Sequence, residues 1–244
     1  MQTVSLFIPC MVDLLLPEIG EDTVRVLRRL GLRIVYHERQ TCCGQFSFNA
    51  GFWKEAARMA RHFLEVFGDD EVVVCPSGSC VNMVRNRYPM LFASEPAWFD
   101  RARSLASRVY ELTEFIVGVV GVDDLGGSYE GKIAYHESCS LLNGLGVSEQ
   151  PKRLLRSVRG AQLVPMRDAE VCCGFGGEFS TRYPEISESL VAAKTASFLE
   201  SGADLLVLCE PGCLTNINGY LSRRHPDRKV VHIAQFLAQS LPTT

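Results

Sequence analysis

The ten cysteines of this 244-residue chain fall into two sets of five that recur in the same order. The offset between equivalent members stays between 129 and 134 residues along the chain. The first set is Cys10, Cys42, Cys43, Cys75 and Cys80, and the second is Cys139, Cys172, Cys173, Cys209 and Cys213. Such a long period indicates duplication of a whole domain rather than a solenoid repeat. We therefore predict two homologous domains, residues 1–125 and 126–244, joined near residues 123–128.

Each half alternates short apolar runs with segments of helical periodicity. The predicted strands cover 4–8, 32–36, 71–74, 132–135, 161–164 and 204–208, and the predicted helices cover 17–30, 52–68 and 184–200. Strands that alternate with helices pair in parallel through right-handed crossovers. The predicted fold class is therefore α/β, with two Rossmann-like domains that have parallel sheets and are related by internal duplication.

Every group of cysteines follows the end of a predicted strand. The carboxyl ends of parallel strands share one edge of the sheet, so cysteines that are distant in sequence meet there. Each half is therefore predicted to assemble one cluster of thiols.

Composition and charge exclude some functional classes and indicate where in the cell the protein works. The formal net charge of −3, from 25 basic and 28 acidic residues, gives no electrostatic case for binding nucleic acid. No run of eighteen apolar residues predicts a membrane span, and the first residues lack the positive charge of a secretory signal. We therefore predict a cytoplasmic protein. In a reducing cytosol, patterned cysteines are more often metal ligands or catalysts than disulfides.

The arrangement of the thiols favours iron–sulfur clusters over the alternatives. Zinc sites usually space their cysteine pairs by two to four residues, whereas Cys42–Cys43 and Cys172–Cys173 are directly adjacent. The side chains of neighbouring residues diverge, which suits a cluster with several metal corners. Gly44 and Gly174 follow the pairs and allow close approach of backbone N–H groups. Zinc binding and thiol–disulfide chemistry remain alternatives.

Cys75, Cys209 and His136 each have two candidate roles. Cys75 and Cys209 end apolar strands, and burial in the core is favoured over ligation for both. His136 lies three residues before Cys139, where it either orients a ligand or makes a structural hydrogen bond, the second being favoured.

The duplicated pattern resembles the CCG cysteine-rich domain family. That family includes the cysteine-rich component of heterodisulfide reductase, the iron–sulfur subunit of glycolate oxidase and the lactate utilization proteins. The segments most similar to the lactate utilization branch are 40–45, 76–80, 172–177, 184–187 and 212–214. The Cys-x2-Cys-x2-Cys run of the glycolate oxidase protein is absent from the sequence.

The resemblance implies a cytoplasmic iron–sulfur protein of L-lactate oxidation to pyruvate. Its role would be electron transfer rather than catalysis, alongside a larger iron–sulfur subunit and a third subunit. A subunit like those of heterodisulfide reductase or glycolate oxidase is the alternative. The implied ligands are Cys10, Cys42, Cys43 and Cys80 for one cluster, and Cys139, Cys172, Cys173 and Cys213 for the other.

The sequence departs from the heterodisulfide reductase branch of the family at three positions. That branch closes each half with Cys-x2-Cys, which supplies a fifth thiolate for a non-cubane cluster. Ser77 and Glu210 stand at those positions here, and Ser140 stands where the family often has histidine. We therefore expect a conventional four-thiolate [4Fe-4S] cluster in each half.

Overall fold

The computed structural model describes residues 3–242 and contains two four-stranded parallel sheets. The first sheet has the order β2-β1-β3-β4 and the second has the order β6-β5-β7-β8. The strands are β1 (Thr3–Leu6), β2 (Arg33–Tyr36), β3 (Val73–Cys75), β4 (Val109–Glu111), β5 (Ser128–His136), β6 (Arg159–Leu163), β7 (Leu205–Leu208) and β8 (Lys229–His232). The same order in both sheets confirms the predicted α/β fold with two similar halves.

Helices flank both sheets. The α-helices are α1 (Cys10–Leu15), α2 (Pro17–Arg29), α3 (Gln45–Asn49), α4 (Trp53–Phe67), α5 (Gly78–Asn82), α6 (Tyr88–Leu91), α7 (Pro96–Ala106), α8 (Leu112–Glu114), α9 (Glu149–Ser157), α10 (Glu178–Arg182), α11 (Pro184–Glu200), α12 (Pro211–Arg224) and α13 (Ile233–Ser240). Three π-helical segments cover Met83–Arg87, Phe115–Val120 and Ser140–Leu145. Within residues 3–242, no helix is both long enough and apolar enough to cross a bilayer.

The predicted elements recur with small shifts at their ends. The helix predicted over 17–30 is α2, which is followed by Gly31 with a φ of +73°. The helix predicted over 184–200 is α11. Strand β4 and the short helices that carry the cysteines were not predicted, because these elements are too brief to show a clear period.

One of the two buried hydrophobic clusters spans both halves, and the other lies within the first half. Val4 and Leu6 of β1 belong to the same buried cluster as Ile133 of β5 and Leu206 of β7. Helix α2 of the first half packs against α13 of the second. The domain boundary at residue 125 therefore stays a prediction from the sequence repeat, because buried side chains from both sides of it belong to the same hydrophobic cluster.

The strand ends that carry cysteines face each other across this boundary. Helix α5, which follows β3, packs on the segment Ser140–Leu145, which follows β5. The approach is so close that a Cβ atom at Gly78 would overlap the Leu141 side chain. Helix α1 contacts α12 in the complementary place. The fold therefore opposes the two thiol-bearing edges.

Candidate metal site between the two halves

The thiols of the first half form one continuous group. The Sγ atoms of Cys10 and Cys42 are 3.5 Å apart, and those of Cys43 and Cys80 are 3.4 Å apart. Cys42 also accepts a hydrogen bond from Cys43, which joins the two pairs. Cys10 starts α1, Cys80 lies in α5, and the adjacent pair lies in the loop after β2. The cluster of thiols predicted for this half is therefore assembled from three strand ends.

The second half repeats the arrangement. The Sγ atoms of Cys173 and Cys213 are 2.8 Å apart, and Cys139 is hydrogen bonded to Cys172. Cys213 and Cys173 are buried, whereas Cys139 is exposed. The structure thus places all eight predicted ligands in two sets of four, which we call the first and second thiol sets.

Both thiol sets line a single cavity of about 230 Å³ between the two halves. Phe46 and Phe175, each shortly after a CCG motif, contact one another edge to face with ring centroids 6.5 Å apart. The strand pattern predicted one set in each half, with no sign that the sets open into the same space. The reason is that the packing of one half on the other has no local signature in the sequence.

Backbone N–H groups point at one sulfur of each set. The N–H of Gly44 donates to Cys42 Sγ at 3.4 Å, and the N–H of Gly174 donates to Cys172 Sγ at 3.3 Å. Both glycines have positive φ, +85° and +84°, which favours glycine. A Cβ at Gly174 would also lie 2.6 Å from the Ser187 carbonyl oxygen. The glycine of each CCG motif thus turns a donor toward a sulfur, and hydrogen bonds to sulfur are one of the factors that set the reduction potential of an iron–sulfur cluster.

Hydrogen bonding among the thiols lowers the pKa of the accepting sulfurs and raises the pKa of the donating thiols, among them Cys10 and Cys139. A hydrogen bond from Cys10 lowers the pKa of Cys42 to about 3, and one from Cys139 lowers the pKa of Cys172 to about 2. A hydrogen bond from Cys173 lowers the pKa of Cys213 to about 6. The thiolate is the form of cysteine that binds metals, so each set contains a competent ligand at neutral pH.

Ser77 and Glu210, which replace the fifth cysteines of the heterodisulfide reductase branch, meet between the two sets. Ser77 Oγ donates to Glu210 Oε1 at 3.0 Å, and the Ser79 N–H and hydroxyl donate to the same carboxylate at 2.8 Å each. Burial raises the pKa of Glu210 to about 8. These side chains bond to each other across the boundary between the halves and supply no sulfur.

Cys75 and Cys209 lie in the core behind the cavity. Both are fully buried, and neither belongs to the cavity wall within residues 3–242. The Cys209 Sγ lies 3.4 Å from the Tyr135 hydroxyl, which favours the core role expected for Cys209. The Cys75 Sγ lies 3.7 Å from the Ser77 carbonyl oxygen and is also hydrogen bonded to Cys80, so Cys75 contacts the first thiol set from the core side.

Known proteins resemble this chain throughout its length. The family model described as the CCG cysteine-rich domain matches residues 4–85 and again residues 133–218. A protein of Bacillus licheniformis named lactate utilization protein A is 44% identical over 234 residues, which cover 96% of this chain and 98% of that protein. One of Shouchella clausii with the same name is 45% identical over the same shares of both chains.

A solved structure shares the fold. A hypothetical protein from Helicobacter pylori superposes with a TM-score of 0.66 at 10% sequence identity and covers 100% of this chain. This chain spans 49% of the length of that protein. At this level of identity, the likeness concerns the fold alone.

Proposed function

Because this chain belongs to the CCG cysteine-rich domain family and, within it, to the lactate utilization protein A family, we propose that it is an iron–sulfur electron-transfer subunit of an L-lactate-oxidising system. The observation that carries the proposal is the pair of four-thiol sets opening into one cavity. Bound iron–sulfur clusters would supply one-electron acceptors and donors. Cys10, Cys42, Cys43 and Cys80 would hold one [4Fe-4S] cluster, and Cys139, Cys172, Cys173 and Cys213 would hold the other.

The donor chemistry fits this cofactor. Each set offers four sulfurs, one of them supported by a backbone N–H, and iron–sulfur clusters use thiolates and such N–H donors. Ser77 and Glu210 are hydrogen bonded to each other, which supports four thiolates per cluster rather than five. Three sulfur–sulfur contacts of 2.8 to 3.5 Å support the gathering of each thiol set at one site.

The wall of the thiol-lined cavity lacks the side chains that usually bind a carboxylate substrate. Such substrates are most often held by cationic groups, arginine above all. The wall residues within 3–242 include no arginine, lysine or histidine, and they do include the acidic Glu210. The thiol-lined cavity therefore supports a role in accepting and passing on electrons, with the oxidation of lactate to pyruvate proposed for another subunit.

We also propose partner subunits and a cytoplasmic location for this chain. Relatives that cover nearly the same length are named for lactate utilization, which supports a role in such a system. The proposed partners are a larger iron–sulfur subunit and a third subunit. A site that depends on free thiols also supports location in the reducing cytoplasm.

Two measurements test the proposal. Protein purified without oxygen should contain about eight irons and about eight acid-labile sulfides per chain, with electron paramagnetic resonance signals on reduction. L-lactate should reduce these clusters only when the partner subunits are added. Stoichiometric zinc with no visible chromophore would contradict cluster binding. Sustained turnover of disulfides by the isolated chain with an artificial electron donor would contradict the electron-transfer role and support a heterodisulfide-reductase-like one.

A further inference from the structure

A buried lysine lies behind the second thiol set and has no carboxylate partner. Lys194 belongs to α11, and only 2% of its surface is exposed. Its ammonium donates to the carbonyl oxygens of Asp168 and Ala169, to the second at 3.1 Å. No carboxylate within residues 3–242 forms an ion pair with it, and the Asp168 carboxylate contacts Arg167 instead. Lysine is rarely buried unless it is paired, so a negative charge is expected nearby.

The second thiol set is close enough to provide this negative charge. Burial lowers the pKa of Lys194, whereas the charges of Cys173 and Cys213 raise it. The carboxylates of Asp168 and Glu170 act in the same direction as the two sulfurs, but both residues are exposed and water screens their charges. The ammonium and the second thiol set therefore interact through the protein interior.

A shared carbonyl oxygen links Lys194 to this set through His136. Nδ1 of His136 donates to the Ala169 oxygen at 3.0 Å, which is the structural hydrogen bond favoured for this histidine. The backbone N–H of Glu137 donates to the same oxygen at 3.1 Å. The His136 ring is in turn hydrogen bonded to Cys213. The ammonium is therefore held in a fixed position on the core side of the second set.

The first half has an aromatic ring where the second half has Lys194. Phe63 lies ten residues after the first residue of α4, and Lys194 lies ten residues after the first residue of α11. Phe63 is buried and packs on Phe7 and Tyr88, with ring centroids 4.8 and 5.6 Å away. The Tyr88 hydroxyl donates to the Cys43 carbonyl oxygen at 2.9 Å. The core side of the first set is therefore aromatic, whereas that of the second set carries a cation.

The contacts of the two motif glycines support this alignment of α4 with α11. A Cβ at Gly44 would lie 3.4 Å from the carbonyl oxygen of Ala56, and a Cβ at Gly174 would lie 2.6 Å from that of Ser187. The 131 residues between Ala56 and Ser187 equal the offset between the phenylalanine and the lysine. The two helices therefore pack on their CCG motifs in the same register.

We propose that the Lys194 ammonium raises the reduction potential of the centre held by the second thiol set above that of the centre held by the first. The inference rests on the proposed iron–sulfur function. A cluster bound by four thiolates is anionic and gains a further negative charge when it accepts an electron. A buried cation stabilises the reduced form more than the oxidised form, because the attraction grows with that negative charge and is weakly screened in the interior.

The proposal gives the two centres an order of reduction. The first electron that a partner subunit delivers resides on the second centre. The donor loses one electron, the second centre gains it, and no covalent bond is formed or broken. The first centre is then the more strongly reducing of the two, so the duplication provides two potentials within one chain.

Redox titration monitored by electron paramagnetic resonance measures the two centres separately. Cys42→Ser protein retains the second centre, Cys172→Ser protein retains the first, and we expect the higher reduction potential in the former. Lys194→Met in the Cys42→Ser background should lower the ratio of reduced to oxidised centre about tenfold at a fixed applied potential, which corresponds to about 59 mV for one electron. The same substitution in Cys172→Ser protein should leave the potential unchanged, because that centre lies in the other half.

Two further variants in the Cys42→Ser background separate charge from structure. Lys194→Gln keeps a side-chain N–H that can donate to a carbonyl oxygen but has no charge, so it should lower the potential as Lys194→Met does. Lys229→Met removes an exposed cation at the start of β8, on the opposite edge of the sheet from the cysteines, and should leave the potential unchanged. The comparison between the two cysteine variants needs no change at Lys194, so misfolding of a substituted protein leaves that test intact.

The outcomes separate this inference from the proposed function. About four irons in Cys42→Ser protein, with a potential no higher than that of the first centre or unchanged by Lys194→Met, would overturn the role of Lys194 while leaving the electron-transfer proposal standing. A wild-type potential in Lys194→Gln would also overturn it, because hydrogen bonding and not charge would then be the cause. Absence of iron and sulfide from the wild-type protein after anaerobic reconstitution would overturn both.

Discussion

The hydroxyl of Ser77 donates a 3.0 Å hydrogen bond to Oε1 of Glu210, which lies 133 residues later and in the other half of the molecule. The two residues occupy equivalent positions of the duplicated motif, each three residues before the last cysteine of its set. One copy of the motif therefore carries the donor and the other carries the acceptor. The pair lies between the two thiol sets and joins the halves at the cavity.

We expect Glu210→Ala to lower the free energy of unfolding by about 2 to 3 kcal/mol, because it leaves the Ser77 hydroxyl and the Ser79 N–H buried without their acceptor. Chemical denaturation of the ligand-free protein under reducing conditions measures the change. Glu188→Ala is the matched control, since Glu188 is exposed and paired only with Arg224. Equal effects of the two substitutions would contradict a role for Glu210 in joining the halves.

We expect Cys42→Ser and Cys172→Ser each to remove about four of about eight irons, because each variant breaks one thiol set and leaves the other complete. Iron and sulfide analysis of anaerobically purified protein measures the loss, and electron paramagnetic resonance identifies the remaining centre. Loss of all iron from either variant would show that the two sets hold one shared centre across the cavity.

We expect Cys75→Ala and Cys209→Ala to keep the full iron content, because neither sulfur lines the cavity within residues 3–242 and Cys75 reaches the first thiol set only through its hydrogen bond with Cys80. Each substitution removes one buried sulfur, so the free energy of unfolding should fall by about 1 kcal/mol. Iron analysis and a denaturation curve on the same samples check both statements. A drop to about half the iron in Cys75→Ala would make Cys75 a ligand.

The buried carboxyl of Glu111 makes the stability of the protein depend on pH. Burial raises the pKa of Glu111 to about 7, although Oε2 accepts hydrogen bonds from the N–H groups of Thr113 and Glu114. The groups around it are Glu114 of the following helix α8, and Cys209 and Tyr135 of the second half. The folded protein therefore retains a proton that the unfolded chain, with a pKa near 4.5, has already released.

The free energy of unfolding therefore falls as the pH rises. The stabilisation associated with the protonated Glu111 carboxyl is fully present below about pH 4.5 and is lost as the pH rises to about 7, and it amounts to at most about 3 kcal/mol. Glu111→Gln should flatten the pH dependence of the free energy of unfolding in that window. Urea denaturation between pH 4.5 and 8 tests this, with the exposed Glu188→Gln as control. An unchanged pH profile in Glu111→Gln would contradict the assignment.

Sequence determined those features that depend on local pattern and on the general rules of α/β topology. The offset between the cysteine sets showed the duplication, and helices such as α2 and α11 were predicted because their apolar spacing and terminal signals lie within one segment. The grouping of Cys42, Cys43 and Cys80 was also predictable, because parallel strand ends share an edge of their sheet.

Tertiary structure alone decided how the two copies face each other. The single cavity and the bond between Ser77 and Glu210 both arise from contacts between segments distant in sequence. Motif spacing reports which residues follow a strand, but it does not report how one sheet is placed against another. That placement depends on the shared core that β1 builds with β5 and β7, whose side chains pack through many weak and nonspecific contacts.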